Sequence, residues 1–118
     1  MLMSHITTHV LDTAVGRPAA GLDVVLQVES SGEPAGPRWV EVATGTTDAD
    51  GRITDLGPDS LSEGTYRLTF ATADYFDAQG VDAFYPEVTV AFRVTSADQH
   101  YHVPVLLSPF AYSTYRGS

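Results

Sequence analysis

The sequence predicts an all-β fold, a sandwich or barrel, on three observations. Apolar residues recur at every second position in short segments. Clusters of glycine, proline and aspartate separate those segments, and a single stretch breaks the alternation. A period of two sends successive side chains to opposite faces of a strand, so each such segment buries one face.

The elements follow in order. His5–Asp12 alternates Ile6, Thr8 and Val10 against His5, Thr7, His9 and Leu11. Leu22–Glu29 places Leu22, Val24, Leu26 and Val28 on one side, and Arg38–Thr46, with Trp39, Val40 and Val42, reads as a less regular strand. Thr65–Thr72 sets Tyr66, Leu68 and Phe70 opposite Arg67 and Thr69, and Val88–Val94 repeats the pattern. Ala73–Gln79 lacks alternation, contains Tyr75 and Phe76, and stops before Gly80, which predicts a short helix. Breakers fall at Gly32–Pro37, Asp48–Gly51 and Gly57–Asp59.

The last apolar strand, His100–Ser108, has a core row of Tyr101, Val103, Val105 and Leu107. Its other row, His100, His102, Pro104, Leu106 and Ser108, is neither a wet face nor a core face, and Leu11 beside His9 has the same character. Hiding each such leucine is worth roughly 1.5–3 kcal/mol, so this face is expected to pack against another copy of the chain. Pro104 has no amide donor and must sit at a gap in the ladder, a bulge or an edge.

Composition excludes several classes. The 118 residues suit one domain, 1–118, with a single core. The formal charge is −9, and all six basic residues are arginines scattered singly, so no nucleic acid is expected as partner. There is no cysteine for a disulfide, a thiolate metal site or a thiol nucleophile. Met1–His5 does not read as a secretory signal, and no apolar run approaches the roughly 20 residues of a membrane span. A soluble, cytoplasmic protein without membrane association is the expectation.

The four histidines, His5, His9, His100 and His102, all lie in the two strands just singled out. If those strands are neighbours, His9 and His102 project from one outer face and supply two imidazoles, the side chains most readily tuned for proton transfer near neutral pH. Arg52 follows the tight Asp50-Gly51 turn. A guanidinium close to an imidazole holds it neutral, able to accept a proton, and can steady an oxyanion. Blander readings stand beside these. His100 and His102 could be a zinc-ligand pair, but no Asp, Glu or third histidine is securely placed to complete a site, so no metal is expected. His5 reads as an exposed terminal-strand residue, and His100 as a rim or hydrogen-bonding residue. Asp48 and Asp50 read as turn residues, and Asp12 as the cap of the turn after its strand. Ser4, Ser113 and Ser118 lack a nucleophile-elbow context. Trp39 and Tyr66 read as core or sheet-surface aromatics.

Several segments together resemble the 5-hydroxyisourate hydrolase branch of the transthyretin family. They are His9-Val10-Leu11-Asp12 with Gly16-Arg17-Pro18-Ala19, then Thr47-Asp48-Ala49-Asp50-Gly51-Arg52, then Phe84-Tyr85-Pro86-Glu87-Val88. The most specific is the run from His100 to Ser118, closing on Tyr115-Arg116-Gly117-Ser118. The resemblance covers the whole chain and departs only in details such as Ala111, where relatives often have glycine. It implies a transthyretin-like (prealbumin-like) sandwich of two four-stranded sheets with one short helix, assembled as a homotetramer, a dimer of dimers, with clefts along a central channel.

The resemblance also implies the activity: hydrolysis of 5-hydroxyisourate to 2-oxo-4-hydroxy-4-carboxy-5-ureidoimidazoline in urate catabolism, without a cofactor. Carried over position by position, the catalytic residues are His9, Arg52, His102 and Ser118. The first three are of other types in the hormone-carrying branch, which favours enzyme over carrier. Leu11, Pro104, Leu106, Ser113 and Tyr115 are expected to bind substrate, the last two because they alternate together on the final strand. Two other functions compete: a non-enzymatic carrier of a flat aromatic ligand, and an immunoglobulin-like adhesion module, which would usually be monomeric.

Overall fold

A computed structural model describes residues 3–32 and 36–118 as two packed β-sheets and one short helix. The first sheet contains β1 (Ile6–Asp12), β2 (Arg17–Pro18), β5 (Arg52–Ile53), β8 (Tyr101–Leu107) and β9 (Tyr112–Thr114). Its order is β2-β1-β8-β9, with β5 also paired to β1. The second, all antiparallel, runs β4 (Gly36–Thr46), β3 (Asp23–Gly32), β6 (Gly64–Phe70) and β7 (Val88–Val94). The resemblance implied four strands in each sheet. The second sheet has them, whereas the first has five, because β2 and β5 share one edge of β1: β2 pairs at Leu11 and Asp12, β5 at Thr8 and His9.

The alternating rows close on one another to make the core. Ile6, Val10, Val105 and Leu107 from the first sheet meet Val24, Leu26, Leu68 and Phe70 from the second, all buried. At roughly 1.5–3 kcal/mol for each large apolar side chain, this interior dominates the stability of the sandwich. Strand β4 reads irregularly because its pairing with β3 shifts register between Leu26 and Gln27. Trp39 lies on the sheet surface, its ring 4.3 Å from the guanidinium carbon of Arg67, whereas Tyr66 is buried and donates its hydroxyl to Ser62 O.

Helix α1 spans Thr72–Asp77, one residue earlier in its start and two in its end than the sequence pattern predicts. Strand β6 ends at Phe70; the Ala71 N–H makes the last bond to β3, at Asp23 O, and Thr72 opens the helix and is not the end of a strand. Gly80, at φ +68°, closes the far end. Phe76 buries its ring in the core, and Tyr75 donates its hydroxyl to Asp12 Oδ2 at 2.8 Å, fixing the helix to the end of β1. The other Asp12 oxygen accepts from Ala14 N–H, so Asp12 does cap its turn.

Of the predicted breakers, residues 33–35 lie outside the described residues, as do Met1 and Leu2 of the N-terminal segment. Among the described residues no helix is long and apolar enough to cross a membrane.

Candidate active site

Everything at the site follows from one unusual pairing. The first and last long strands, β1 and β8, run parallel with Thr7 beside His102, His9 beside Pro104 and Leu11 beside Leu106. Neighbours in register share a face. Strand β5 extends the middle row, since His9 also pairs with Arg52, and β9 extends the next, since Leu106 pairs with Ser113. The outer face of the first sheet therefore carries Arg52, His9 and Pro104 in one row, with Leu11, Leu106 and Ser113 on one side and Thr7 and His102 on the other. Leu11, Leu106, His9 and His102 are all half-buried in the single chain.

Arg52 is held by its turn. The Asp48 carboxylate accepts the Asp50 and Arg52 backbone N–H groups at 2.9 and 3.0 Å, so Asp48 is a turn residue as its sequence context suggests. Gly51 stands at φ +75° with its carbonyl accepting the Val10 N–H, and a Cβ there would lie 2.3 Å from Val10 O. The turn is thus seated on the middle of β1. His9 reaches over to it: its Nε2 lies 2.9 Å from Asp50 O. A carbonyl only accepts, so this nitrogen carries a proton and the lone pair of neutral His9 is on Nδ1.

His102 is anchored by the opposite nitrogen. Its Nδ1 lies 2.8 Å from Thr7 Oγ1, and His100 Nε2 lies 2.8 Å from the same hydroxyl. Among the described residues His102 Nε2 has no hydrogen-bond partner. No sealed side-chain nitrogen or oxygen among the described residues lacks one, so Nε2 is open to solvent. Burial, then the nearby charges of Arg52, His100 and His9, push the His102 pKa below its ordinary 6.5, against a smaller opposing pull from a hydrogen bond to the Thr7 backbone.

The C-terminal segment completes the site. Its Gly117 N–H donates to His102 O, and the glycine lies so close that a Cβ would come 2.5 Å from His102 Cδ2 and 3.1 Å from Pro104 Cγ. Ser118 then lines a pocket of about 190 Å³ with Thr7, Arg52, Thr54, His100 and His102. Pro104 explains the path. The N–H groups of Ser108 and Gly117 bond between β8 and the tail, so the even residues of β8 face the tail. At 104 there is no N–H to give, and β9 ends at Thr114, opposite Val105, before the chain bridges again at Gly117.

The structure gathers Arg52, His102 and Ser118 at one pocket, with His9 paired to Arg52 and its charge acting on His102. Leu11, Pro104, Leu106 and Ser113 lie in adjoining rows of the same face. Tyr115 does not join them. The chain leaves the ladder after Thr114, so the alternation shared with Ser113 ends there, and Tyr115 lines a neighbouring groove with Phe92, Tyr101, Arg116 and His102. His5 is also not as expected. It is buried at 4% exposure, with Nδ1 accepting the Leu61 N–H and Nε2 donating to Gln99 O.

Sequence reasoning passed over Thr7 and Thr54 as site residues. Thr7 shares the outer row with His9, and setting the two histidine strands parallel would have placed it beside His102. As for a metal pair, the facing nitrogens of His100 and His102 are engaged by Thr7. Among the described residues no group of three or more His, Cys, Asp or Glu is placed to hold an ion.

Comparison with known proteins places these residues in context. The family model described as HIUase/Transthyretin matches residues 6–117. A 5-hydroxyisourate hydrolase from Mus musculus is 47% identical over 116 residues, covering 98% of this chain and 96% of the mouse protein. A solved 5-hydroxyisourate hydrolase from Klebsiella pneumoniae superposes with a TM-score of 0.80 at 33% identity, covering 96% of this chain and 98% of that one. Sea bream transthyretin in complex with thyroxine superposes with a TM-score of 0.86 at 32% identity, covering 95% and 93%. Enzyme and carrier thus share the backbone, and only side chains can separate them.

Proposed function

The chain belongs to the HIUase/Transthyretin family, and we propose that it hydrolyses 5-hydroxyisourate, a cyclic amide, to 2-oxo-4-hydroxy-4-carboxy-5-ureidoimidazoline in urate breakdown. The observation that carries this reading is the convergence of Arg52, His9 and His102 on one sheet face, where His102 Nε2 has no hydrogen-bond partner among the described residues. In this reading the whole chain, 1–118, is one cytoplasmic hydrolase domain that needs no cofactor.

The chemistry requires water to add to a ring carbonyl and the ring C–N bond to break. His102 Nε2 takes a proton from the attacking water as the C–O bond forms. The Arg52 guanidinium steadies the oxyanion and, by its charge, keeps resting His102 unprotonated. The C–N bond then breaks and the imidazolium returns its proton to the leaving nitrogen. His9, its Nε2–H bound to Asp50 O, adds a second polar group beside Arg52, and Ser118 orients water or substrate by hydrogen bonding. Leu11, Pro104, Leu106 and Ser113 would line the approach, and Tyr115 would contribute from the neighbouring groove.

The deciding experiment generates 5-hydroxyisourate with urate oxidase and follows its ultraviolet decay with and without the protein. Faster decay supports the hydrolase. Decay at the spontaneous rate, together with saturable binding of a flat aromatic ligand, supports the carrier instead.

Two further outcomes are expected. Because His102 must be neutral to act and its pKa is lowered, kcat/KM should hold as pH falls past 6.5 and drop at a midpoint below it. A midpoint at or above the ordinary imidazole value would remove His102 as the base. The half-buried leucines of the outer face, Leu11 and Leu106, support a homotetramer built as a dimer of dimers. Sedimentation should return the mass of four chains, and a monomer that still turns over substrate would refute the assembly.

A further inference from the structure

Thr7 is 3% exposed, and its hydroxyl lies 2.8 Å from each of two imidazole nitrogens, His100 Nε2 and His102 Nδ1. A hydroxyl has one hydrogen, so it can donate to only one of them and must accept from the other. Of these two nitrogens one therefore carries a proton and the other does not. When His102 is the Nδ1–H tautomer, with Nε2 free to accept, the Thr7 hydroxyl points at His100. When the hydroxyl turns, His102 holds its proton on Nε2 and is no longer a base.

From this geometry we propose that Thr7 is a positioning residue that sets the His102 tautomer and relays its proton to His100. The proposal rests on the reading of His102 as the base and extends it. As His102 Nε2 takes the proton of water, its Nδ1 proton passes to Thr7 Oγ1, and the proton already on that oxygen passes to His100 Nε2. His100 then carries the positive charge. In the second half of the reaction the chain runs backward: His102 Nε2 protonates the leaving nitrogen, Thr7 returns a proton to Nδ1, and His100 Nε2 returns one to Thr7. No proton is gained or lost over the cycle.

Electrostatics give the relay its direction. The groups acting on His102 are Arg52 from β5, His9 from β1 and His100 from the approach to β8, while the tail brings Gly117 and Ser118. A cation on His102 is half-buried and stands near Arg52, whereas His100 is exposed and water can solvate it. Moving the charge from half-buried His102 to exposed His100 therefore relieves repulsion at the moment it arises. A threonine held only for packing would need neither nitrogen.

The test uses the intact protein. Thr7→Val keeps the shape and deletes the hydroxyl. It should lower kcat about tenfold or more with little change in KM, whereas Thr7→Ser should stay within about twofold of the parent. Nitrogen-15 NMR of the resting protein should find His102 protonated at Nδ1, and a mixture of tautomers in Thr7→Val. His100→Gln, at an exposed position, gives a second reading if Thr7→Val folds poorly: kcat should fall similarly and recover in part with added imidazole, above its blank. Full turnover in Thr7→Val or His100→Gln, or a Thr7→Ser as slow as Thr7→Val, overturns the relay. Undiminished turnover in His102→Asn would instead overturn the base assignment beneath it, so the two failures are distinguishable.

Discussion

Replacing His102 with asparagine is expected to lower kcat about 10²–10⁴-fold, the usual range for loss of a general base. Asparagine is suited to this because its amide can still meet the Thr7 hydroxyl, where His102 Nδ1 now lies at 2.8 Å. What it removes is the ionisable nitrogen on the far side of the ring, the atom without a partner among the described residues. Folding should be almost unaffected, because the ring is only half-buried and the Gly117 N–H bonds to the backbone oxygen of His102, not to its side chain. The measurement is initial-rate decay of freshly generated 5-hydroxyisourate, with circular dichroism to confirm that the variant is folded. A folded variant with parental turnover would exclude His102 from the chemistry and leave His9 as the imidazole to be tested.

The outcome matters because the backbone cannot discriminate. Sea bream transthyretin superposes on this chain at least as well as the Klebsiella hydrolase does, with TM-scores of 0.86 and 0.80. The enzyme reading thus stands on a few side chains of one sheet face. Most of those were legible in the sequence for a simple reason: His9, Leu11, His102, Pro104 and Leu106 lie in long strands, where the period of two fixes their face. The ladder gap at Pro104 was legible as well, since a missing N–H is a property of the residue.

Other features depend on partners that local pattern does not name. Arg52 belongs to a two-residue strand, too short to have a period, and its pairing with His9 is made by the Asp48 turn. His5 is buried because backbone groups from two distant loops, at Leu61 and Gln99, find its ring nitrogens. Alternation carried Tyr115 along with Ser113, whereas β9 ends at Thr114, one residue short of it. Thr7 was visible as a member of the outer row, but its place between two imidazoles needs the parallel register of β1 and β8. Sequence alternation says which face a residue takes and is silent about which strand lies beside it.

Gly51→Ala is expected to be the most destabilising small substitution near the site, by at least about 2 kcal/mol. Two independent costs add. Gly51 sits at φ +75°, where an L-residue's Cβ crowds the following carbonyl, and that Cβ would also lie 2.3 Å from Val10 O and 3.2 Å from Ala19 N. Those are backbone atoms already bonded to one another, the Ala19 N–H donating to Val10 O at 2.9 Å, so neither can swing aside as a flexible side chain could. The turn must lift from β1 instead, and the Val10 N–H to Gly51 O bond of 2.8 Å lengthens with it. For a chain of this length the midpoint of thermal unfolding should fall by roughly 6–12 °C. Arg52 is the next residue, so turnover should fall as well, even at temperatures where the variant is folded, because the guanidinium moves off the imidazoles. Calorimetry and the decay assay on the same preparation separate the two effects. A variant with unchanged melting and unchanged turnover would mean that the turn does not rest on β1 and does not hold Arg52 over the pocket.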